Sequence, residues 1–189
     1  MSNGWEEIAG DFIAAREQSS IGVDVARAWA QTLPNGAAIL DLGCGTGVPI
    51  ALALSKDGFR IYGVDASPTI IAEFKRRLPQ MSAACEPVET SPFFGRSFDG
   101  IVSIGLVFLL SADAQRRLIF RAAAALDPGG HFLFTSPSPV CEWTDLMTGR
   151  KSRSLGEETY IRLLSEAGLD LVGNAVDEGE NYYFHAVKT

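Results

Sequence analysis

The feature of this sequence that most constrains its fold is the segment DLGCGTG at residues 41–47. It begins at the end of residues 37–42, a mostly apolar run that predicts a short buried strand. Pro49 stands just after it, where the first turn of a helix accepts a proline. A glycine-rich turn between a strand and a helix lets backbone N–H groups and the helix N-terminus approach a ligand closely. The segment therefore predicts a ligand-binding turn in an α/β fold.

Predicted helices and strands alternate along most of the chain. Two helices come first, at residues 5–13 and 23–31, where apolar residues recur at helical spacing. Ser67 and Pro68 supply a cap and a first-turn proline for a later helix. After residue 36, the predicted strands are 37–42, 61–64, 81–85, 98–104 and 131–135, and the predicted helices are 49–56, 68–77 and 114–125. This alternation predicts a parallel sheet with helices on both faces.

The end of the chain departs from this alternation. A helix at residues 157–167 precedes strands at 169–176 and 182–187, and the turn between these strands is short enough to join antiparallel strands only. We therefore predict a doubly wound α/β fold with a mostly parallel sheet of seven strands and one antiparallel strand near the C-terminus. Residues 136–156 have no clear pattern and predict a long loop, a kind of segment that is often functional. We expect one domain over residues 1–189, with a helical cap at 1–35 and a cofactor-binding core at 36–189.

The spacing of the glycines distinguishes between cofactors. Dinucleotide-binding turns follow G-x-G-x-x-G, whereas Gly43, Gly45 and Gly47 followed by Val48 give G-x-G-x-G. Asp41 stands just before the loop, where a carboxylate would repel a diphosphate and attract an ammonium group. S-adenosylmethionine carries an ammonium, a sulfonium and no phosphate. The pattern therefore favours S-adenosylmethionine over NAD, and it disfavours an NAD-dependent oxidoreductase.

A second acid supports this interpretation. Asp65 ends the next predicted strand, 24 residues after Asp41. A carboxylate about 20 residues beyond such a loop can accept hydrogen bonds from both ribose hydroxyls of a nucleoside. The alternative is a strand–helix turn whose glycines serve packing and whose acid caps the next helix. The presence of both acids favours a cofactor-binding site over this alternative.

The chain resembles the class I S-adenosylmethionine-dependent methyltransferases over nearly its whole length. Residues 41–47 match the first motif of that family, and Asp65 matches its ribose-binding acid. FDGIV at 98–102 resembles the fourth strand of the family, and LDPGG at 126–130 resembles the turn before its fifth strand. The resemblance implies a Rossmann-like fold, S-adenosylmethionine as cofactor and methyl transfer as the reaction.

The resemblance also implies which residues bind the cofactor. Glu86 and Pro87 stand where the family usually has Gly-Asp-Ala, so that Glu86 replaces the customary aspartate of the adenine contact. The carbonyl groups near Ser103 and Ile104 would hold the methionine end. Arg16 is a candidate for the cofactor carboxylate, although it also fits a solvated helix charge. The full predicted set is Arg16, Asp41, Gly43, Cys44, Gly45, Gly47, Asp65, Ala66, Glu86, Pro87, Ser103, Ile104, Gly105 and Leu106.

Two segments that follow predicted parallel strands should frame the methyl acceptor. One is the loop that contains Trp143, and the other is the acidic turn at 177–181, which runs into Tyr182. We predict Trp143, Asn181 and Tyr182 as substrate-binding residues, because their rings give apolar walls and the amide fixes orientation. The alternatives are a solvated acidic turn and a pair of tyrosines that alternate across the strand. The basic stretch at 150–153 and the acidic turn point to opposite substrate charges, so charge alone leaves the acceptor open.

Other features narrow the class of function. The net charge of −7 disfavours a nucleic acid partner, and the longest nearly apolar run, residues 101–110, is shorter than the about 20 residues of a membrane helix. The N-terminus has no basic stretch before an apolar one, so we expect no signal peptide and no membrane association. The three cysteines fit no C-x-x-C pattern, which fits a reducing cytoplasm. No spaced acid triad predicts a bound metal. His131 and His185 should lie towards the opposite end of the sheet, so no catalytic residue is assigned.

These features predict methyl transfer from S-adenosylmethionine to a small organic acceptor. We expect no added domain that would grip a macromolecule, and the fourth predicted strand ends in SIGL rather than in the N-P-P-Y signature of base amino-methyltransferases. One alternative is a protein or RNA methyltransferase that works with a partner. The other is a non-catalytic S-adenosylmethionine-binding module that acts as a regulator or scaffold.

Overall fold

The structure is a computed structural model that describes residues 4–17 and 19–189. Its helices are α1 (Ala9–Arg16), α2 (Val23–Ala30), α3 (Ile50–Lys56), α4 (Pro68–Arg77), α5 (Ala112–Ala125) and α6 (Glu157–Glu166). Its strands are β1 (Ala38–Leu42), β2 (Arg60–Asp65), β3 (Ser82–Cys85), β4 (Phe98–Ser103), β5 (Leu126–Thr135), β6 (Cys141–Thr144), β7 (Lys151–Ser154), β8 (Leu169–Val176) and β9 (Tyr182–Lys188). None of the helices in these ranges is long and apolar enough to cross a membrane.

The main sheet has seven strands in the order β3-β2-β1-β4-β5-β9-β8. Neighbouring strands from β3 to β5 are parallel, whereas β9 is antiparallel to both β5 and β8. The predicted mostly parallel sheet with one antiparallel strand is therefore confirmed. The strand order reverses between β1 and β4, and ligands of open α/β sheets bind beyond the carboxyl ends of the strands at such a point.

The central strand β1 is apolar except for Asp41, because it is covered on both faces. All five of its residues are buried, as is typical of a parallel strand between two layers of helices. Ile39 belongs to the core formed with α2, α3 and α4, whereas its neighbour Leu40 belongs to the core formed with α5 and α6. This rigid centre fixes the position of the glycine loop that follows β1.

Local sequence signals place the helix after β2 as predicted. The Ser67 hydroxyl accepts a hydrogen bond from the Ile70 amide at 3.2 Å, and Pro68 begins α4. The first helix begins later than the predicted residue 5, because residues 4–8 form turns. Within these turns Glu6 accepts a hydrogen bond from the Thr69 hydroxyl at 2.7 Å, which anchors the N-terminal segment to the start of α4.

The prediction of an unstructured loop at residues 136–156 is wrong. The strands β6 and β7 pair with each other as an antiparallel hairpin, separate from the main sheet. Each has four residues, and only one of the eight is an aromatic or aliphatic side chain. The apolar alternation that identifies longer strands is therefore absent, and cross-strand pairing defines the hairpin.

Candidate functional site

A cavity of about 430 Å³ lies at the carboxyl ends of the parallel strands, where the sheet topology predicts a ligand. Binding sites for small molecules measure about 300–1,000 Å³. Asp41 and Gly43 line the cavity at the end of β1, and Asp65 and Ala66 line it at the end of β2. Residues 104–106 contribute the wall that follows β4.

Asp41 places an unpaired carboxylate in this cavity. The residue is 5% exposed, and among the described residues none donates a hydrogen bond to its side chain. Burial, reinforced by the nearby charge of Asp65, raises the pKa of Asp41 to about 7. A buried carboxylate without a partner is costly, so this position favours a cationic ligand group.

Asp65 connects the glycine loop to the helix after β2. Its Oδ2 accepts a hydrogen bond from the Gly45 amide at 3.2 Å, and its Oδ1 accepts one from the Ser67 amide at 2.9 Å. Burial raises the pKa of Asp65, and these backbone hydrogen bonds oppose the rise. Each carboxylate oxygen can accept more than one hydrogen bond, so the side chain can hold the loop and still face a ligand.

The three loop glycines have backbone conformations that side chains rarely adopt, with φ of +73° at Gly43, +55° at Gly45 and +80° at Gly47. A Cβ atom on Gly43 would lie 2.9 Å from the Cβ of Leu106, and one on Gly45 would lie 3.3 Å from the ring of Phe12. These glycines therefore also make room for neighbouring protein side chains. Gly47 packs against α4 and does not line the cavity.

Cys44 fills the space beneath the loop. A Cβ atom on Gly63 of β2 would lie 2.7 Å from the Cys44 sulfur, so glycine at 63 lets this side chain pack against the sheet. Burial raises the pKa of the Cys44 thiol well above its usual value. The side chain is therefore a neutral packing group, and it also borders the cavity.

Arg16, the last residue of α1, brings a positive charge to the wall of the cavity. Its guanidinium carbon lies 5.8 Å from the centre of the Phe12 ring, and the residue lines the cavity. Burial lowers the pKa of Arg16, whereas the nearby Tyr183 and Asp177 raise it. An arginine stays protonated in proteins, and no described carboxylate forms an ion pair with this one.

Some residues of the predicted cofactor set do not line the cavity. Glu86 and Pro87 lie beside it, where the Glu86 amide donates a hydrogen bond to the Asp65 carbonyl at 2.9 Å. Ser103 is buried, and its hydroxyl donates to the Leu42 carbonyl at 3.2 Å. Val88 and Glu89, which the sequence analysis missed, line the cavity after β3 instead. Their only sequence signal is their position two to three residues beyond Glu86.

Tyr182, predicted to bind the substrate, does not line the cavity. Its hydroxyl donates a hydrogen bond to Glu157 Oε1 at 3.0 Å, which holds the ring against α6. Tyr183 points to the other side of the strand, where its hydroxyl donates to Asp177 Oδ2 at 2.7 Å. Neither tyrosine lines the cavity. Alternation along β9 directs their side chains to opposite faces of the sheet.

The two other predicted substrate residues have different environments. Asn181 lines the cavity, and its amide nitrogen donates to the Asp177 carboxylate at 3.0 Å. Trp143 does not line the cavity but packs against Phe108, which does, with ring centres 5.4 Å apart. Asp177 is buried and accepts several hydrogen bonds from its own turn and from Tyr183, whereas Glu178 and Glu180 of the same turn are exposed.

The two histidines pair with each other away from the cavity. His131 Nδ1 lies 2.8 Å from His185 Nε2, and the Thr32 hydroxyl lies 3.0 Å from the same Nδ1. Burial, with the neighbouring His131, lowers the pKa of His185 to about 4. Their location agrees with the prediction that neither histidine belongs to the site.

The family comparison matches residues 39–130 to a model described as a methyltransferase domain. The chain is 36% identical over 110 residues to the aklanonic acid methyltransferase DauC of Streptomyces sp. strain C5, a match that covers 54% of this chain and 49% of that protein. It is 29% identical over 171 residues to the trans-aconitate 2-methyltransferase of Escherichia coli, covering 81% of this chain and 62% of that protein. The chain thus spans about half to three fifths of these relatives.

A solved structure shares the whole fold. The 1,6-didemethyltoxoflavin-N1-methyltransferase of Burkholderia thailandensis, crystallised with 1,6-didemethyltoxoflavin and S-adenosylhomocysteine, superimposes with a TM-score of 0.75. The alignment covers 100% of this chain and 91% of that chain at 22% identity, so it is evidence for the fold.

Proposed function

Since the chain belongs to the class I S-adenosylmethionine-dependent methyltransferases, we propose that it transfers a methyl group from S-adenosylmethionine to a small organic acceptor. The observation that carries the proposal is the unpaired, buried carboxylate of Asp41 beside Asp65 at the switch point of the sheet. Its position favours a ligand that brings a positive charge.

The residues of the cavity fit this cofactor. Asp41 offers a carboxylate for the ammonium group, and Asp65 offers oxygen atoms with remaining capacity for the ribose hydroxyls. Arg16 offers a guanidinium for the carboxylate of the cofactor. This guanidinium has no ion-pair partner among the described carboxylates. A cationic, an acidic and two hydroxyl groups on one ligand would thus each meet a complementary side chain.

When bound, S-adenosylmethionine supplies a methyl group that its sulfonium has already activated. The protein then has to align the acceptor with that methyl group and exclude water. Trp5 and Phe12 on the N-terminal segment and Phe108 after β4 provide apolar walls for both tasks. The salt bridge between Glu7 and Arg150, 3.6 Å long, ties the N-terminal segment to the loop of the β6–β7 hairpin.

The named relatives support a small acceptor. Aklanonic acid, trans-aconitate and 1,6-didemethyltoxoflavin are all small organic molecules, although they share little chemistry.

Methyl transfer is tested with radiolabelled S-adenosylmethionine and a pool of extracted metabolites. We expect label in a small organic product, and no such label with Asp41→Asn, which removes the proposed ammonium partner. Asp113→Asn, an exposed acid on α5, is the matched control and should behave as wild type. Label found only in added protein or RNA would contradict the small acceptor. Cofactor binding without any transfer would point to a non-catalytic module.

A further inference from the structure

The wall of the cavity that remains beyond the proposed cofactor contacts is mainly apolar. Trp5 and Phe12 contact each other edge to face, with ring centres 5.2 Å apart, and both line the cavity. Phe108 and Met147 line it from the β4–α5 connection and from the hairpin loop. Aromatic and thioether side chains from three separate segments therefore surround this space, an arrangement that suits a flat apolar ligand.

The charges that face this space are negative. Among the described residues that line the cavity, Arg16 is the one cation, and the proposed function assigns it to the cofactor. Asp41 and Asp65 are assigned in the same way, which leaves Glu89 and Asp145 as the charged groups beside an acceptor. An acceptor carboxylate would therefore meet like charges in a partly buried site.

The basic stretch at 150–153 does not offset these acids. Arg150 forms a salt bridge with Glu7 at 3.6 Å, and Arg153 forms one with Glu142 at 3.5 Å. Lys151 is exposed. None of the three lines the cavity, so these cations do not neutralise the acids that face the acceptor space.

Asp145 lines the same space, and hydrogen bonds from its own loop hold its carboxylate in place. Its Oδ1 accepts hydrogen bonds from the Met147 amide at 3.1 Å, the Thr148 amide at 2.8 Å and the Thr148 hydroxyl at 2.8 Å. Its Oδ2 accepts none from the described residues, and Asp145 is one of the residues that line the cavity. The loop therefore holds one carboxylate oxygen in place and leaves the other available.

From these contacts we infer that the acceptor is a flat, apolar molecule without negative charge, whose N–H or O–H group donates a hydrogen bond to Oδ2 of Asp145. This inference rests on the proposed function, because the cofactor must occupy Arg16, Asp41 and Asp65. Asp145 then determines specificity: it binds a donor group on a neutral ring and repels a carboxylate at the same position. A tricarboxylate such as trans-aconitate does not fit this site.

The test uses two probes of similar shape, 2-naphthol and 2-naphthoate, with the full chain saturated with S-adenosylhomocysteine. Calorimetry first measures S-adenosylhomocysteine alone, so that a failure of the proposed function is seen separately. We expect 2-naphthol to bind and 2-naphthoate to bind at least about tenfold more weakly, because of like-charge repulsion. The variant Asp145→Asn keeps an oxygen atom for the loop amides. Its affinity for 2-naphthoate should rise about tenfold, and its affinity for S-adenosylhomocysteine should not change.

Asp113→Asn is the matched control, since it removes an exposed carboxylate outside the cavity and should preserve the preference for 2-naphthol. Equal or tighter binding of 2-naphthoate by the wild-type complex would overturn the inference. So would an absence of 2-naphthol binding, or a preference that persists unchanged in Asp145→Asn.

Discussion

At the scale of single residues, the environment of Asp41 opposes the charge of its own side chain. The carboxylate is buried, has no hydrogen-bond partner among the described residues, and lies near a second acid, Asp65. Such a group destabilises the ligand-free fold when it is ionised. A bound ammonium group would remove the conflict, which explains why a buried acid stands at the end of the central strand.

Asp41 should therefore make stability depend on pH. Its folded-state pKa of about 7 lies above the value of about 3.9 in an unfolded chain, so its contribution is complete below about pH 4 and is lost as pH rises through 7. Relative to Asp41→Asn, the free energy of unfolding of the ligand-free wild type should fall between pH 4 and pH 8 by on the order of 4 kcal/mol. Urea unfolding at a series of pH values measures this difference, and a difference that does not vary with pH would contradict the account.

At the scale of elements, the glycine loop contacts residues from several helices and strands of the fold. Gly43 faces Leu106 after β4, Gly45 faces Phe12 of α1, and Gly47 faces α4. The Gly45 amide also donates to Asp65 at the end of β2. A substitution in this loop should therefore displace several of the residues that line the cavity.

A matched pair of substitutions separates backbone strain from these contacts. Gly43 and Gly36 have nearly the same φ, +73° and +71°, but a Cβ on Gly36 would meet nothing within 4 Å. The free energy of unfolding of both alanine variants should fall by about 1–2 kcal/mol, because alanine is strained in the left-handed backbone conformation. Only Gly43→Ala should also weaken binding of S-adenosylhomocysteine, because Leu106 must move. Calorimetry and thermal melts of both variants test this, and equal cofactor affinity in the two would show that the contact with Leu106 is unimportant.

The elements that the sequence predicts well are those with local signals. The start of α4 follows from Ser67 and Pro68, and β1 follows from a run of apolar residues that only Asp41 interrupts. The β6–β7 hairpin was missed because its strands are short and mostly polar, so that pairing rather than composition defines them. The sequence also could not predict that Glu86 and Tyr182 do not line the cavity, because their side-chain directions depend on how the sheet and α6 pack.

At the scale of the whole molecule, the site is assembled from residues that are distant in sequence. Trp5, Asp41, Asp65, Glu89 and Asp145 come from five segments and line one cavity. The order of strands predicts which edge of the sheet holds the ligand, because that order reverses between β1 and β4. The closure of the cavity by the N-terminal segment and the hairpin is a tertiary contact, seen in the salt bridge between Glu7 and Arg150, and the sequence alone does not reveal it.

The central claim is that two acids at the strand ends bind S-adenosylmethionine, and isothermal calorimetry with S-adenosylmethionine and NAD tests it most directly. Asp99→Ala is the matched control for Asp65→Ala, because Asp99 also accepts a backbone hydrogen bond, from Ala38 at 2.7 Å, but lies outside the cavity wall. The wild type and Asp99→Ala should bind S-adenosylmethionine and not NAD. Asp65→Ala should bind at least about tenfold more weakly, because hydrogen bonds to a charged group contribute about 1.5–3 kcal/mol each. Tight NAD binding without S-adenosylmethionine binding, or an unchanged affinity in a folded Asp65→Ala protein, would contradict the account.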